Sequence, residues 1–328
     1  MWSGALANYI FPKGYRMTKV FIDGKAGTTG LRIYERLAER SDIELITISD
    51  ELRKDTNARL DAINSSDISF LCLPDAAAKE IAALADPYVA IIDTSTAHRT
   101  AEGWAYGFPE LKGQKEKIAS SKRIANPGCH ASGFISLVAP LVREGLLAPN
   151  AALTSFSVTG YSGGGKSMIA DYEAKTREDL AQSGAIDPLD SPKQYGLTQM
   201  HKHLPEMQVI SGLKTAPVFC PVVADFYSGM TVTVPVFAKD LSIPASELSE
   251  FYRSYYTGKL VHFETCPEGG VFGNMLSGKD DMIVTVAGND ERILLISCFD
   301  NLGKGASGAA IQNMNILLGI DETTGLVL

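Results

Sequence analysis

From Thr18 onward, short apolar runs alternate with segments of helical periodicity. "KVFID" (Lys19 to Asp23), "ELITI" (Glu44 to Ile48), "ISFLCLP" (Ile68 to Pro74) and "VAIID" (Val89 to Asp93) read as buried strands. Between them, "LRIYERLAER" sets Leu31, Tyr34 and Leu37 on one helical face, and "AAAKEIAALA" is built from helix formers. Strand–helix alternation of this kind predicts an α/β fold with a doubly wound parallel sheet and helices on both faces. Past Ala151 the pattern changes. "MTVTVPVFA", "DMIVTVAG" and "RILLISCF" predict longer strands of a mixed sheet in a second, α+β domain. No internal repeat or low-complexity tract interrupts the chain.

The first strand runs into "GKAGTTG", with Gly24, Gly27, Thr28, Thr29 and Gly30 ahead of a helix. A Rossmann-type domain holds a dinucleotide's pyrophosphate at this point, on a helix N-terminus. The spacing is G-x-x-G-x-x-G in place of G-x-G-x-x-G, so placement carries the inference more than spacing does. After the second strand, Asp50 stands where an acid would grip the ribose of NAD, while Ser49, Arg53 and Lys54 offer the donors a 2′-phosphate needs. The two cations favour NADP.

"IANPGCHASGFISLVAPLV" places Asn126 as an N-cap and Pro127 at a first helical position, with Phe134, Leu137, Val138 and Leu141 on a buried face. Cys129 then falls in the first turn, where unpaired amides and the helix dipole favour a thiolate. A thiolate nucleophile needs a proton-transfer partner. Two of the five histidines, His201 and His203, lie in "HKHLPEM". Pro205 argues against a helix there, and an extended segment would put both imidazoles on one face with Lys202 turned away and Glu206 orienting one ring. A metal reading lacks a further ligand, so no metal is expected.

Composition trims the alternatives. A length of 328 residues favours two domains, and a formal net charge of −8 argues against a nucleic-acid surface. Five scattered cysteines without a C-x-x-C pair suit a reducing cytoplasm, and no stretch is apolar enough for a membrane span. Residues 1–17, with Met17 opening "MTKVFIDG", read as an extension without an assigned role. "GYSGGGKS" (Gly160 to Ser167) satisfies G-x-x-x-x-G-K-[ST], which keeps a P-loop nucleotide-binding protein open as an alternative. No acid-terminated strand follows it at a suitable distance to hold magnesium. A dinucleotide-binding sensor without catalysis leaves Cys129 and the paired histidines unexplained.

"KVFIDGKAGTTG", "DTSTAHR", "NPGCHASGF", "GYSGGGKS", "HKHLPEM" and "FDNLGKGASGAAIQNMN" occur in the order found in N-acetyl-γ-glutamyl-phosphate reductases of arginine biosynthesis. The chain resembles the shorter branch of that family from about Thr18 to the end, with aspartate-semialdehyde dehydrogenase as a fold relative. The resemblance implies NADPH-dependent reduction of an acyl phosphate through a thioester, with Cys129 as nucleophile and His201 as acid/base. It also implies that Arg99, His203, Glu206 and Lys166 meet the substrate, Arg99 at its phosphate. Asn301, Lys304 and the helix after them are implied to return to the cofactor. On this reading residues 18–131 form the NADP-binding domain, completed by 302–328. Residues 132–301 form a substrate and dimerisation domain of a homo-oligomer, dimer or tetramer. A related acyl-phosphate reductase such as aspartate-semialdehyde dehydrogenase is the runner-up. Longer family members carry "HRH" and an arginine where this chain has Lys202 and Lys166.

Overall fold

The computed structural model describes residues 16–174, 177, 179 and 184–328. The first sheet is built from β1 (Thr18–Asp23), β2 (Ile43–Ile46), β3 (Ile68–Leu71), β4 (Ala90–Asp93), β5 (Ala105–Tyr106) and β6 (Arg123–Ala125). Their order is β2-β1-β3-β4-β6-β5, and every pair is parallel. Each expected strand is present. β2 and β3 stop before the ends of their apolar runs, and the remaining residues become the loops that face the cleft. Helices α1 (Thr28–Ala38), α2 (Thr56–Asn64), α3 (Asp75–Leu84) and α4 (Gln114–Ser120) connect the strands. Sheet order reverses between β1 and β3, which opens a crevice at their carboxyl ends, the usual ligand position in such sheets.

Helix α5 (Cys129–Arg143) leads into the second sheet: β7 (Thr154–Gly160), β8 (Lys193–Gln194), β9 (Val218–Ala224), β10 (Met230–Phe237), β11 (Val261–Phe263), β12 (Met282–Gly288) and β13 (Arg292–Phe299). The order β11-β12-β13-β10-β7-β9-β8 mixes parallel and antiparallel pairs. α5 buries Phe134, Leu137, Val138 and Leu141 against Val232, Val234 and Leu295 of this sheet. Helices α6 (Gly165–Tyr172), α7 (Leu204–Ser211) and α8 (Leu248–Tyr255) complete this half. A π-helical turn, Gly303–Ser307, then precedes α9 (Gly308–Leu317). Ala310, Ile311 and Met314 of α9 lie in one core cluster with Val20, Ile22 and Ile33 of the first sheet and α1. The chain thus crosses back to its first layer.

Two local expectations need correction. α5 begins at Cys129 with Gly128 as its cap, not at Asn126. Asn126 is committed elsewhere: its amide bonds the Asp93 carbonyl and its side chain donates to the Ala306 carbonyl. Pro205 does not keep its segment extended either. It sits in the first turn of α7, where its missing N–H costs nothing, and His203 is the capping residue. Residues 1–15 of the opening extension lie outside the described residues.

Candidate active site

The end of β1 turns sharply at Gly24, whose φ of +85° suits glycine, and a Cβ there would collide with the Cys72 carbonyl. Gly27 caps α1 with no side chain, so the amides of Thr28 and Thr29 open its first turn toward the crevice. A cleft of about 350 Å³ beside this turn is lined by Gly24, Gly27, Asp50, Arg53 and Lys54, with Ile22, Ile48 and Leu73 as an apolar floor. Ser49 is not part of that lining; its nearby hydroxyl instead holds the Glu51 carboxyl below its usual range. A groove of about 530 Å³ continues past Thr28, Thr29 and Gly30 to Thr94, Gly163–Gly165 and Lys202. The two spaces and the turn between them suit an extended dinucleotide: an apolar slot flanked by cations, free helix amides, then open passage.

The groove leads into a cavity of about 450 Å³ lined by Cys129, His130, Tyr195, His201, His203 and Arg99. Gly128 makes this packing feasible, because a Cβ there would run into Arg99 and lie 2.5 Å from His203 Nε2. Glu206, 1% exposed, organises the wall. It accepts from Arg99 Nη1 at 2.8 Å, Tyr106 Oη at 2.7 Å and the Gly128 amide at 2.9 Å. Arg99 donates further to the carbonyls of Asn126 and Thr94. Glu206 therefore braces Arg99 and the start of α5 rather than either histidine.

His201 Nδ1 accepts the His203 amide at 3.2 Å, so the neutral ring carries its proton on Nε2. The His201 and His203 ring centroids lie 4.7 Å apart. Burial depresses both titrations, His203 more strongly, and the nearby Arg99 and Lys202 charges add to the effect. Both rings are neutral near pH 7. His203 Nδ1 is buried and has no partner among the described residues. The Cys129 thiol is pushed up to about 11 by burial, against the downward pull of the His130 amide and Arg99. The expectation of a resting thiolate is thus corrected: at neutral pH the helix N-terminus does not outweigh desolvation, and the thiol holds its proton until a base or substrate arrives.

Other predicted residues are placed differently. Lys166 is exposed on α6 and does not line the cavity. Lys304 is 1% exposed and turns away from the cleft, bonding Glu110 Oε1 and Gln312 Oε1 at 2.6 Å each. Asn301 lines the cavity but spends its side chain on the Gly229 amide and Ser162 Oγ. The amides of Gly160, Tyr161 and Ser162, at the head of the "GYSGGGKS" loop, are all bonded to carbonyls of the 226–229 turn, and Gly163–Gly165 line the groove opposite Thr28 and Thr29. Sequence reasoning missed His130, which bonds Ser157 Oγ at 2.5 Å and Tyr195 Oη at 2.7 Å and is depressed to about 3 by burial. The one available signal was a histidine in the first turn of an otherwise apolar helix. Tyr106 and Tyr195 carried none.

Two family models match: "Semialdehyde dehydrogenase, NAD binding domain" over residues 19–121 and "Semialdehyde dehydrogenase, dimerisation domain" over 129–301. The chain is 46% identical over 323 residues to N-acetyl-gamma-glutamyl-phosphate reductase 2 of Nostoc sp., covering 94% of this chain and 99% of that one. It is 44% identical to the N-acetyl-gamma-glutamyl-phosphate reductase of Mesorhizobium japonicum, covering 92% and 99%. The chain belongs to the N-acetyl-gamma-glutamyl-phosphate reductase family. The wider fold of that family is seen in solved structures. Aspartate semialdehyde dehydrogenase II of Vibrio cholerae superposes with a TM-score of 0.70 at 18% identity, over 93% of this chain and 99% of that one. The Candida albicans aspartate semialdehyde dehydrogenase solved with NADP gives 0.64 at 14% identity, over 92% and 99%.

Proposed function

We propose that the chain reduces N-acetyl-γ-glutamyl phosphate to N-acetylglutamate semialdehyde and phosphate with NADPH, a step of arginine biosynthesis. The observation that carries this reading is the position of Cys129. It opens α5 in a cavity shared with His201 and His203, and that cavity continues along a groove to the free amides of α1. Cys129 Sγ forms the bond to the acyl carbon, the bond from that carbon to the phosphate oxygen breaks, and phosphate leaves with the electron pair. His201 handles the protons. Its neutral ring offers Nε2–H as the acid, and it collects the thiol proton when Nδ1 gives up the His203 amide. Glu206 keeps Arg99 and the Gly128 amide fixed around the reacting thiol. NADPH, when bound, supplies the hydride that takes the thioester to the aldehyde. Gly24, Gly27, Thr28, Thr29 and Gly30 would hold its pyrophosphate side, and Arg53 with Lys54 its 2′-phosphate.

We read 18–131 with 302–328 as the cofactor domain and 132–301 as the substrate domain, a reading supported by the return of α9 to the core of the first sheet. On the outer face of the second sheet, Phe156, Val218, Phe237 and Leu294 are 39–56% exposed. A contiguous apolar face of this kind fits a second copy of the chain, in keeping with the matched model's name. Among the described residues no helix is long and apolar enough to cross a membrane, and five free cysteines suit a reducing cytoplasm.

The deciding assay runs the reaction backward, because acyl phosphates hydrolyse readily. N-acetylglutamate semialdehyde, NADP⁺ and inorganic phosphate should yield NADPH only when all three are present. A phosphate-independent rate, or a clear preference for aspartate semialdehyde, would overturn the substrate assignment.

A further inference from the structure

The cavity around Cys129 contains fewer available cations than its sequence suggests. Arg99 is 8% exposed, and Glu206 answers its charge at 2.8 Å. His201 and His203 are neutral for the reasons given above. Lys166, on the rim helix, does not reach the lining. Lys202 is different. It lines both the cavity at Cys129 and the groove that joins it to α1. Among the described residues its ammonium has no ion pair and no hydrogen bond. Asp75 faces the same groove and its carboxylate feels the Lys202 charge, but its oxygens accept from Thr96, through the backbone amide and Oγ1, and among the described residues it makes no direct bond to the ammonium. The expectation that Lys202 turns away failed because residues 201–203 form a turn ahead of α7, not a strand.

We infer that Lys202, rather than Arg99 or Lys166, is the anchor for the substrate's phosphoryl group. The assignment rests on the acyl-phosphate reading above. An exposed ammonium without a direct ion pair, at the mouth of a desolvated cavity, is free to move onto a dianion beside it. The acyl carbon lies at Cys129 when the C–S bond forms, which puts the departing phosphate within one bond of that carbon. Lys202, between the two histidines, stabilises the negative charge as the C–O bond to phosphate breaks and the electron pair moves to the phosphate oxygen. In the reverse direction the same ammonium holds inorganic phosphate for attack on the thioester.

Because phosphate is a separate substrate in that direction, its KM reports this contact directly. Lys202→Met should raise the KM for phosphate about ten- to hundredfold, the span of a lost charge-assisted hydrogen bond, with the KM for NADP⁺ and for semialdehyde nearly unchanged. Phosphate should slow iodoacetamide labelling of Cys129 in the native protein and lose that effect in Lys202→Met, a readout independent of turnover. Lys202→Arg should recover part of the phosphate KM. An unchanged phosphate KM in Lys202→Met, a rise in the KM for NADP⁺ instead, or a phosphate defect in Lys166→Met alone would overturn the assignment and leave the reductase reading standing. A native protein with no phosphate-dependent rate would overturn both.

Discussion

At the scale of single residues, the site works through desolvation more than through fixed charge. Burial raises Cys129 to about 11 and lowers His201 and His203, so neutral thiol and neutral imidazole coexist at pH 7. Such a pair is inert until substrate arrives, which limits side reactions of the thiol. Iodoacetamide labelling of Cys129 should therefore be slow at pH 7 and rise about tenfold per pH unit without levelling until the pH nears the thiol's own titration. A plateau below pH 8 would show a thiolate already formed at rest. Cys129→Ser should abolish turnover while leaving NADPH affinity nearly unchanged, since the thiol lies beyond the dinucleotide groove. His201→Asn should keep fold and cofactor but lose about a hundred- to ten-thousandfold in rate. Residual activity of the serine enzyme near the native level would rule out the thioester.

At the scale of elements, strand ends and helix starts do the positioning. The loop between β2 and α2 brings Arg53 and Lys54 to the cleft beside Gly24, while Ser49 stays outside its lining. Charge-assisted bonds to a phosphate are worth about 1.5–3 kcal/mol each. Replacing Arg53 and Lys54 together by alanine should weaken NADPH by more than about a hundredfold and leave NADH affected little. Titrating both cofactors by fluorescence separates the cases, and equal losses would mean that the loop does not read the 2′-phosphate. The "GYSGGGKS" segment makes the complementary point. It has strand, loop and helix in the right order, yet its first three amides are tied to the 226–229 turn, its glycines line the groove opposite α1 and its Lys166 is exposed outside the cavity lining. Helix α5 shows the same effect: Asn126 and Pro127 look like a helix start, but tertiary bonds to Asp93, Arg99 and Ala306 hold Asn126 outside it.

At the scale of the whole molecule, the buried histidines link the site to stability. His130 titrates near 3 when folded and near 6.5 when unfolded. Between those values the unfolded chain binds the extra proton, so stability is complete above about pH 6.5 and falls as the pH drops toward 3, by at most about 1.4 kcal/mol per pH unit for each such group. His203, depressed for the same reason, acts in the same direction. Asp23, whose carboxyl is raised by burial, acts in the opposite direction, because there the folded chain binds the extra proton as the pH falls. Melting temperature should thus decline from pH 7 to pH 5, and less steeply in His130→Asn than in the native protein. Equal slopes in the two proteins would show that His130 is not neutral in the fold.

The layer order, the glycine turn at Gly24, the place of Cys129 at the head of α5 and the two histidines of "HKHLPEM" were all legible in the chain. They depend on local chemistry: apolar period, a positive φ, a helix terminus, a rare residue type. What the chain alone left open was how those groups share one space. Glu206 meets Arg99 across 107 positions, Lys304 meets Glu110 across 194, and His130 meets Tyr195 across 65. No local pattern encodes such partners, because each pairing depends on how two sheets pack. The same packing decides which charges are cancelled and which stay available. It paired Arg99, drew Lys304 into the interior and left Lys202 facing the cleft, and it raised the thiol that the helix terminus by itself would have ionised.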